Sequence, residues 1–470
     1  MASDLIALRD IISSSIDKIV DVCASTGKDF PSLDQPIHLS EFTPDGIRNH
    51  PDVSSSISLV VAAAFQLIAT VQAPASTLTT SAFQFALPVS LGIAEAANVA
   101  EIIRPAGSKG MHVNDIAPKS GMDPKKLARI LRFLATNHWF REVAPDVFAT
   151  NLLSSLLDTG KELTENFAAT KHQNSPGLAA IVGYGSDELM KSMLCMKEVL
   201  TEPETAFSEE VNETGFQKFF KTKLSHWAYY ETPEGKFRRD RFAVAMSGLS
   251  KLQPPEAILS GFDWSSVPKG GLVVDVGGGT GHVSLEIVKA FPELNVVVED
   301  APGVIAKAKE YWEANLPSHV SQEKVDFIGL SFFDPQPSLP SPPDVFLLRY
   351  IVHDWSDKYI IKLFRRLRDA AGPSTKLVIV DSIIGYACDA PSTYSLDEGP
   401  KPPAPLLSNM GGANLIPYTI DLAILSCINS GERTIDGHNK VIEAGGWKLV
   451  EVRKNPISKT WLPTLVAVPA

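Results

Sequence analysis

The sequence predicts an α/β protein: a doubly wound, Rossmann-like sheet domain preceded by a mainly helical region with a winged-helix pattern. Three observations predict it. From residue 271, the β-branched runs GLVVDV, LNVVVED, KVDFIGL, DVFLLRYI and KLVIVDSI alternate with the helical patterns HVSLEIVKAF, VIAKAKEYWEANL and KYIIKLFRRLRDA. Such alternation builds a parallel sheet with helices on its faces. A cluster of glycines, Gly277-Gly278-Gly279-Thr280-Gly281, interrupts the chain directly after the first run. Residues 1–160, in contrast, carry helical patterns throughout.

The chain has 470 residues, 44% of them apolar, enough for two or three domains with sizeable cores. A net charge of −11 argues against a general nucleic-acid binder. Cys23, Cys195, Cys388 and Cys427 are scattered and form no CxxC pair, so neither zinc nor a disulfide framework is expected. The ten histidines are dispersed, and no metal cluster is expected. The first residues, MASDLIALRD, lack the basic start of a signal peptide, and the protein is expected to be soluble and cytoplasmic.

Along the chain, LIALRDIISSSIDKIVDVC opens the helical region. Ile57–Ala73, ISLVVAAAFQLIATVQA, is interrupted by Ser58, Gln66, Thr70 and Gln72 and is shorter than a usual membrane span. It is read as a buried or partner-facing helix, with no membrane partner. Ala82–Ile103 is apolar over much of its circumference and is expected to bury more than one side, for instance in a homodimer.

Asp123 then caps a helix whose first residue is Pro124, with Leu127, Ile130, Leu131 and Leu134 on one face. A preceding short helix, a turn at Ser120-Gly121 and a strand pair over Trp139–Thr150 complete the winged-helix pattern. Lys125, Lys126, Arg129 and Arg132 raise the possibility of DNA recognition, but in an acidic chain a structural module is the better expectation. Residues 161–255 read as a helical linker with aromatic interruptions that include Trp227 and Phe242. Residues 386–417 form a Pro/Ser/Gly-rich loop, followed by a helix over Tyr418–Cys427.

The glycine loop lies between a strand and a helix, where open α/β sheets bind nucleotide-like ligands. It has no Gly-Lys-Ser/Thr ending, so it is not a P-loop. A dinucleotide fingerprint starting at Gly277 needs a glycine where His282 stands. The pattern is instead Asp275-x-Gly277-x-Gly279-x-Gly281, which suits a cofactor without phosphate. The second strand ends in Glu299-Asp300, where an acidic side chain can accept from ribose hydroxyls.

The motifs VVDVGGGTGH, VVVEDAPGVI, LLRYIVHDWSD and GERTIDGHNKVIEAGGW, in this order, resemble class I S-adenosylmethionine-dependent O-methyltransferases of the plant caffeate-type and fungal natural-product kind. The resemblance implies a methyltransferase domain over 256–470, a helical and winged-helix dimerisation domain over 1–160, and an acceptor-lining region over 161–255. It implies that the loop holds S-adenosylmethionine, released as S-adenosylhomocysteine, with Asp300 on the ribose. Ser331 and Phe332 fall near the adenine, although plant members carry an acidic residue before Met-Phe there. Arg349 replaces a plant lysine and is expected to contact the cofactor or a carboxylate. Met246 and Ser250 match the Met-Ser-x-x-Ser positions that approach the cofactor. Trp227, Phe242 and Asp421 match the acceptor wall.

His353 follows the strand DVFLLRYI at the loop's edge of the sheet. With an unperturbed pKa of about 6.5 it would be largely neutral near pH 7 and able to take a phenol's proton. Glu432 and Asp381 match the acidic residues that flank this histidine in the family. Asp354 is read as structural or helix-capping. The expected function is methyl transfer to a phenolic or polyketide-type small molecule. The alternative is a family member that keeps the cofactor as a bound charge and catalyses a pericyclic rearrangement, with Arg349 or His172 polarising a carbonyl. A dinucleotide-dependent oxidoreductase and a DNA-binding regulator are the remaining readings.

Overall fold

The computed structural model describes residues 2–43, 45–251, 253, 257–390, 401–454 and 462–470. The chain forms two compact units: Met1–Cys195 with Phe219–Leu252 and Pro402–Asn414, and Met196–Lys218 with Gln253–Lys401 and Leu415–Ala470. Within the expected 386–417 loop, residues 391–400 lie outside the described residues.

In the first unit, the helices Ala2–Thr26 and Pro51–Val71 share a small core of Leu8, Ala62, Ala63 and Leu406. The second helix has 21 residues and begins at Pro51, where the His50 side chain accepts from the Asp52 N–H. That corrects the expectation of a segment too short to span a bilayer. By length and composition alone, Pro51–Val71, Pro74–Ala96 and Gly411–Ile428 are long and apolar enough to cross a membrane. The single helix expected over Ala82–Ile103 is two, Ala86–Ala96 and Val99–Ile103. Asn98, between them, sits at φ 58°, a left-handed conformation that ends a helix.

Strand β1 (Met111–His112) leads into the helix Val113–Ser120, a left-handed turn at Gly121 and the helix Pro124–Thr136. Asp123 caps the second helix, accepting from the Lys126 N–H at 3.0 Å. Strands β2 (Arg141–Ala144) and β3 (Val147–Ala149) follow, and the small sheet runs β1-β3-β2. Leu127, Leu131 and Leu134 are buried, so the predicted face is the packed one. Arg132 is bound to Glu142 at 2.8 Å and to Asp146 at 2.7 Å.

The second unit is built on a seven-stranded sheet: β4 (Leu272–Val276), β5 (Asn295–Asp300), β6 (Val325–Gly329), β7 (Val345–Arg349), β8 (Lys376–Val380), β9 (Trp447–Arg453) and β10 (Thr464–Pro469). Their order is β6-β5-β4-β7-β8-β10-β9. The first five are parallel, and β10 pairs antiparallel with both β8 and β9. Alternate residues of one strand enter opposite cores: Val273, Leu347 and Val378 pack beside Trp264 and Trp312, while Val274, Leu348 and Ile379 pack beside Phe364 and Trp447. A sheet buried on both faces explains why its strands read as unbroken apolar runs. In the helix Asp357–Ala370, Ile360, Leu363, Phe364 and Leu367 are buried at helical spacing. The chain winds from β4 out to β6 and returns to β7 on the other side of β4. This reversal opens a crevice at the carboxyl ends of β4 and β7.

Candidate active site

The glycine loop leaves β4 at that crevice. Gly277 and Gly279 have φ of 68° and 62°, which suits residues without a side chain. A Cβ at Gly277 would run into Ile351, whereas a Cβ at Gly279 would meet nothing within 4 Å. Gly279 therefore presents bare backbone to an open space. Its N–H donates to Asp300 Oδ2 at 2.8 Å, and the Ala301 N–H donates to Oδ1 at 2.7 Å. Asp275 is buried below the loop, and its Oδ2 has no hydrogen-bond partner among the described residues. Burial, with the Asp300 charge nearby, pushes its carboxyl up to about 6. Phe332 lies beside Gly277 and packs on Phe333 and Trp355 at 4.9 and 5.8 Å between ring centroids. Ser331 is exposed, and its hydroxyl accepts from the Phe333 N–H at 3.4 Å.

Past β7, a short turn, Val352–Asp354, carries His353. Its Nδ1 lies 3.1 Å from Glu432 Oε1 and 3.8 Å from Asp381 Oδ1. Its Nε2 lies 3.5 Å from Asp354 Oδ1. Asp381 also accepts the His353 backbone N–H at 3.1 Å. Asp354 thus faces the second ring nitrogen, which corrects the expectation of a purely structural or capping residue; Ser356 precedes the next helix instead. Burial by itself would depress the imidazole, but Asp381, Asp354 and Glu432 outweigh it and push His353 up to about 10. The three carboxylates thus work against the largely neutral His353 expected near pH 7. Burial raises Glu432, against the opposing effect of the His353 hydrogen bond.

One atom from each of His353, Asp381 and Glu432 lies within 4.8 Å of the other two, a grouping that could hold a metal ion. The dispersed histidines of the sequence did not foretell this grouping, which brings one histidine together with two carboxylates. Here the imidazole and Glu432 meet directly.

Asp421, expected in the acceptor wall, lies on the helix Leu415–Ile428 and accepts the Glu432 N–H at 2.8 Å. Its carboxylate supports the loop that carries Glu432. Arg349 donates to Gln253 Oε1 at 2.5 Å and lies over the Tyr350 ring at 4.8 Å. Met246, Ser250 and Phe242 are partly buried on the helix Lys236–Lys251 of the first unit. Phe242 packs edge-on against Tyr184 and Trp227 at 5.3 and 5.7 Å. His172, also in the first unit, lies 3.4 Å from Glu95 and is held down to about 4 by burial and the Lys171 charge.

Sequence reasoning missed Arg433. Its guanidinium donates to the Val352 and Trp355 carbonyls at 2.7 and 2.6 Å and pairs with Asp357 at 3.0 Å. The adjacency of Arg433 to Glu432 was the available signal.

A doubly wound sheet with a glycine loop, an acidic second strand and a buried histidine–carboxylate cluster defines an α/β enzyme for a nucleoside-type cofactor. Residues 202–398 match the family model described as the O-methyltransferase domain. An O-methyltransferase of Armillaria gallica is 42% identical over 457 residues, covering 96% of each chain. The 4-O-methyltransferase 1 of Phanerochaete chrysosporium is 36% identical over 479 residues, covering 100% of each chain. The chain belongs to the S-adenosylmethionine-dependent O-methyltransferase family. Among solved structures, the mitomycin 7-O-methyltransferase MmcR aligns with a TM-score of 0.60 at 19% identity, over 84% of this chain and 97% of that one. LepI in complex with S-adenosylmethionine aligns with a TM-score of 0.64 at 18% identity, over 88% and 94%. These two likenesses concern the fold.

Proposed function

We propose that this enzyme methylates a hydroxyl of a phenolic or polyketide-type small molecule, with His353 as the general base. The observation that carries the proposal is the His353–Glu432 contact at 3.1 Å, at the same sheet edge as the glycine loop. Residues at that edge fit S-adenosylmethionine. Each Asp300 oxygen that takes a backbone N–H keeps a lone pair for a ribose hydroxyl, Gly279 leaves room for close approach, and Asp275 offers an unpartnered oxygen. Phe332 offers a ring to the adenine. Bound there, the cofactor supplies an electrophilic methyl group on a cationic sulfonium.

Glu432 accepts from His353 Nδ1–H and so leaves Nε2 to take the proton of the acceptor hydroxyl. A base with a pKa of about 10 matches a phenol, whose pKa is also about 10. Asp381, Asp354 and Glu432 stabilise the imidazolium that forms. The cost is that His353 must first lose a proton, and alkaline conditions favour that. Incubation with methyl-labelled S-adenosylmethionine and a panel of phenols tests the reading. Wild type should label a phenol, and His353→Ala should not, while still binding the cofactor. Equal transfer by the variant would refute the base assignment.

The three carboxylates that raise His353 favour a second reading, in which a protonated ring polarises a carbonyl during a rearrangement. Conversion of a substrate without formation of S-adenosylhomocysteine would decide for it. His172, buried against Glu95, is poorly suited to that role.

The reading extends to a homodimer formed through residues 1–160, where Phe65, Ile68, Leu78 and Phe83 are exposed. It extends to an acceptor-lining region over 161–255, a catalytic domain over 256–470 and a cytoplasmic location with no membrane or nucleic-acid partner. The engagement of Arg132 by Glu142 and Asp146 supports a structural role for the helix–turn–helix. Light scattering and cell fractionation test these points.

A further inference from the structure

We propose that Tyr350 is a positioning residue that sets the plane of the His353 imidazole; this rests on His353 acting at the substrate. Tyr350 has φ 56°, a left-handed conformation that is an outlier for a bulky side chain. Such strain persists where surrounding contacts hold it, and it gathers at functional sites. Here the holding contacts are visible. The Tyr350 N–H donates to the Val380 carbonyl at 3.2 Å, one residue before Asp381. Its hydroxyl accepts from Gln253 Nε2 at 2.9 Å. The same Gln253 accepts from Arg349, whose guanidinium lies over the Tyr350 ring.

The consequence is geometric. A left-handed residue directly after β7 turns the chain away from the strand direction, and the turn Val352–Asp354 follows at once. The Tyr350 ring then stands 5.4 Å from the imidazole, tilted by 38°. Glu432 holds Nδ1 at 3.1 Å, and Asp354 faces Nε2 at the longer distance of 3.5 Å. Both act at the ring edge, and neither packs on its face. A ring packed against the imidazole sets its plane. Tyr350 need not exchange a proton to do this.

The test uses three variants of the full chain. Tyr350→Phe keeps the ring and loses the Gln253 bond. Tyr350→Gly relieves the backbone and removes the ring. Tyr350→Asn, which tolerates the left-handed region, serves if the glycine variant does not fold. The readouts are kcat and KM for methyl transfer, cofactor affinity by calorimetry, thermal midpoint, and the His353 ring signals in nitrogen-15 histidine NMR. With the imidazole misaligned, kcat of Tyr350→Gly should fall about 10- to 100-fold, the scale of a small misplacement of reacting groups. Its midpoint should fall only modestly, because relief of the left-handed backbone offsets part of the lost ring contacts; its cofactor affinity should stay within about threefold of wild type, and its His353 signals should shift. Tyr350→Phe should stay within about threefold of wild type on every readout. Wild-type kcat with unshifted His353 signals in Tyr350→Gly or Tyr350→Asn would overturn the proposal. So would a lowered midpoint with cofactor affinity lost in step. Failure of the base assignment is distinct: it would show as a His353→Ala variant that keeps its rate.

Discussion

Arg433 grips the backbone on which His353 stands, donating to the carbonyl oxygen of Val352 at 2.7 Å. Glu432, its neighbour, takes the imidazole itself. Two consecutive residues thus fix a side chain and its supporting turn, and the Glu-Arg-Thr motif becomes a mechanical unit.

Replacing Arg433 should therefore damage both stability and catalysis. Arg433→Met leaves the two carbonyls without this donor and removes the partner that Asp357 holds at 3.0 Å. Charged hydrogen bonds contribute about 1.5–3 kcal/mol each, so a loss of about 2–4 kcal/mol is expected after relaxation. Arg433→Lys should recover little, because one ammonium cannot reproduce the planar fork. Chemical denaturation of the variants measures this.

The pH profile carries a sign. His353 is raised to about 10, so the ring keeps its proton below that pH and the base is blocked. Single-turnover methyl transfer should increase from pH 7 toward pH 9. Glu432→Gln removes one of the raising charges. Its profile should move to lower pH, while its maximal rate falls about 10- to 100-fold as the imidazole loses its orienter. A profile in Glu432→Gln that moves upward would contradict the electrostatic assignment.

Asp300 offers a cofactor-binding test that leaves the base alone. Asp300→Ala should weaken S-adenosylmethionine binding by about 10- to 100-fold, the value of a charged hydrogen bond. Isothermal titration of both S-adenosylmethionine and S-adenosylhomocysteine should show similar losses, since both carry the ribose.

Asp421 separates two roles. As a support for the Glu432 loop, Asp421→Asn should lower kcat and displace the pH profile while leaving KM for the acceptor within about threefold. A rise in KM alone would restore the acceptor-wall role expected from the sequence.

What the sequence disclosed and what it hid follow from the range of the forces involved. The parallel sheet was legible because burial on both faces writes itself into every strand as an apolar run. The glycine loop was legible because its backbone angles demand glycine locally. His353, Glu432 and Asp381 came through motif resemblance, and their convergence is three-dimensional. The charge state of His353 was not legible, since it depends on three carboxylates from separate turns meeting one ring. Asp421 showed its residue type but not its partner. Tyr350 gave no signal, because nothing in a tyrosine announces a left-handed backbone. Strand β10 was passed over: TLVAVP is a short run, and only pairing with β8 and β9 makes it a central strand.

The two units take alternating stretches of chain, six in all, so the polypeptide passes from one to the other five times. Neither unit corresponds to a continuous piece of gene. A chimera made by joining the front of this protein to the back of a relative would mix both units at once, wherever the junction fell between residues 196 and 414. Exchanging one whole unit between relatives therefore calls for coordinated replacement of three separate segments, and a single crossover is the wrong instrument.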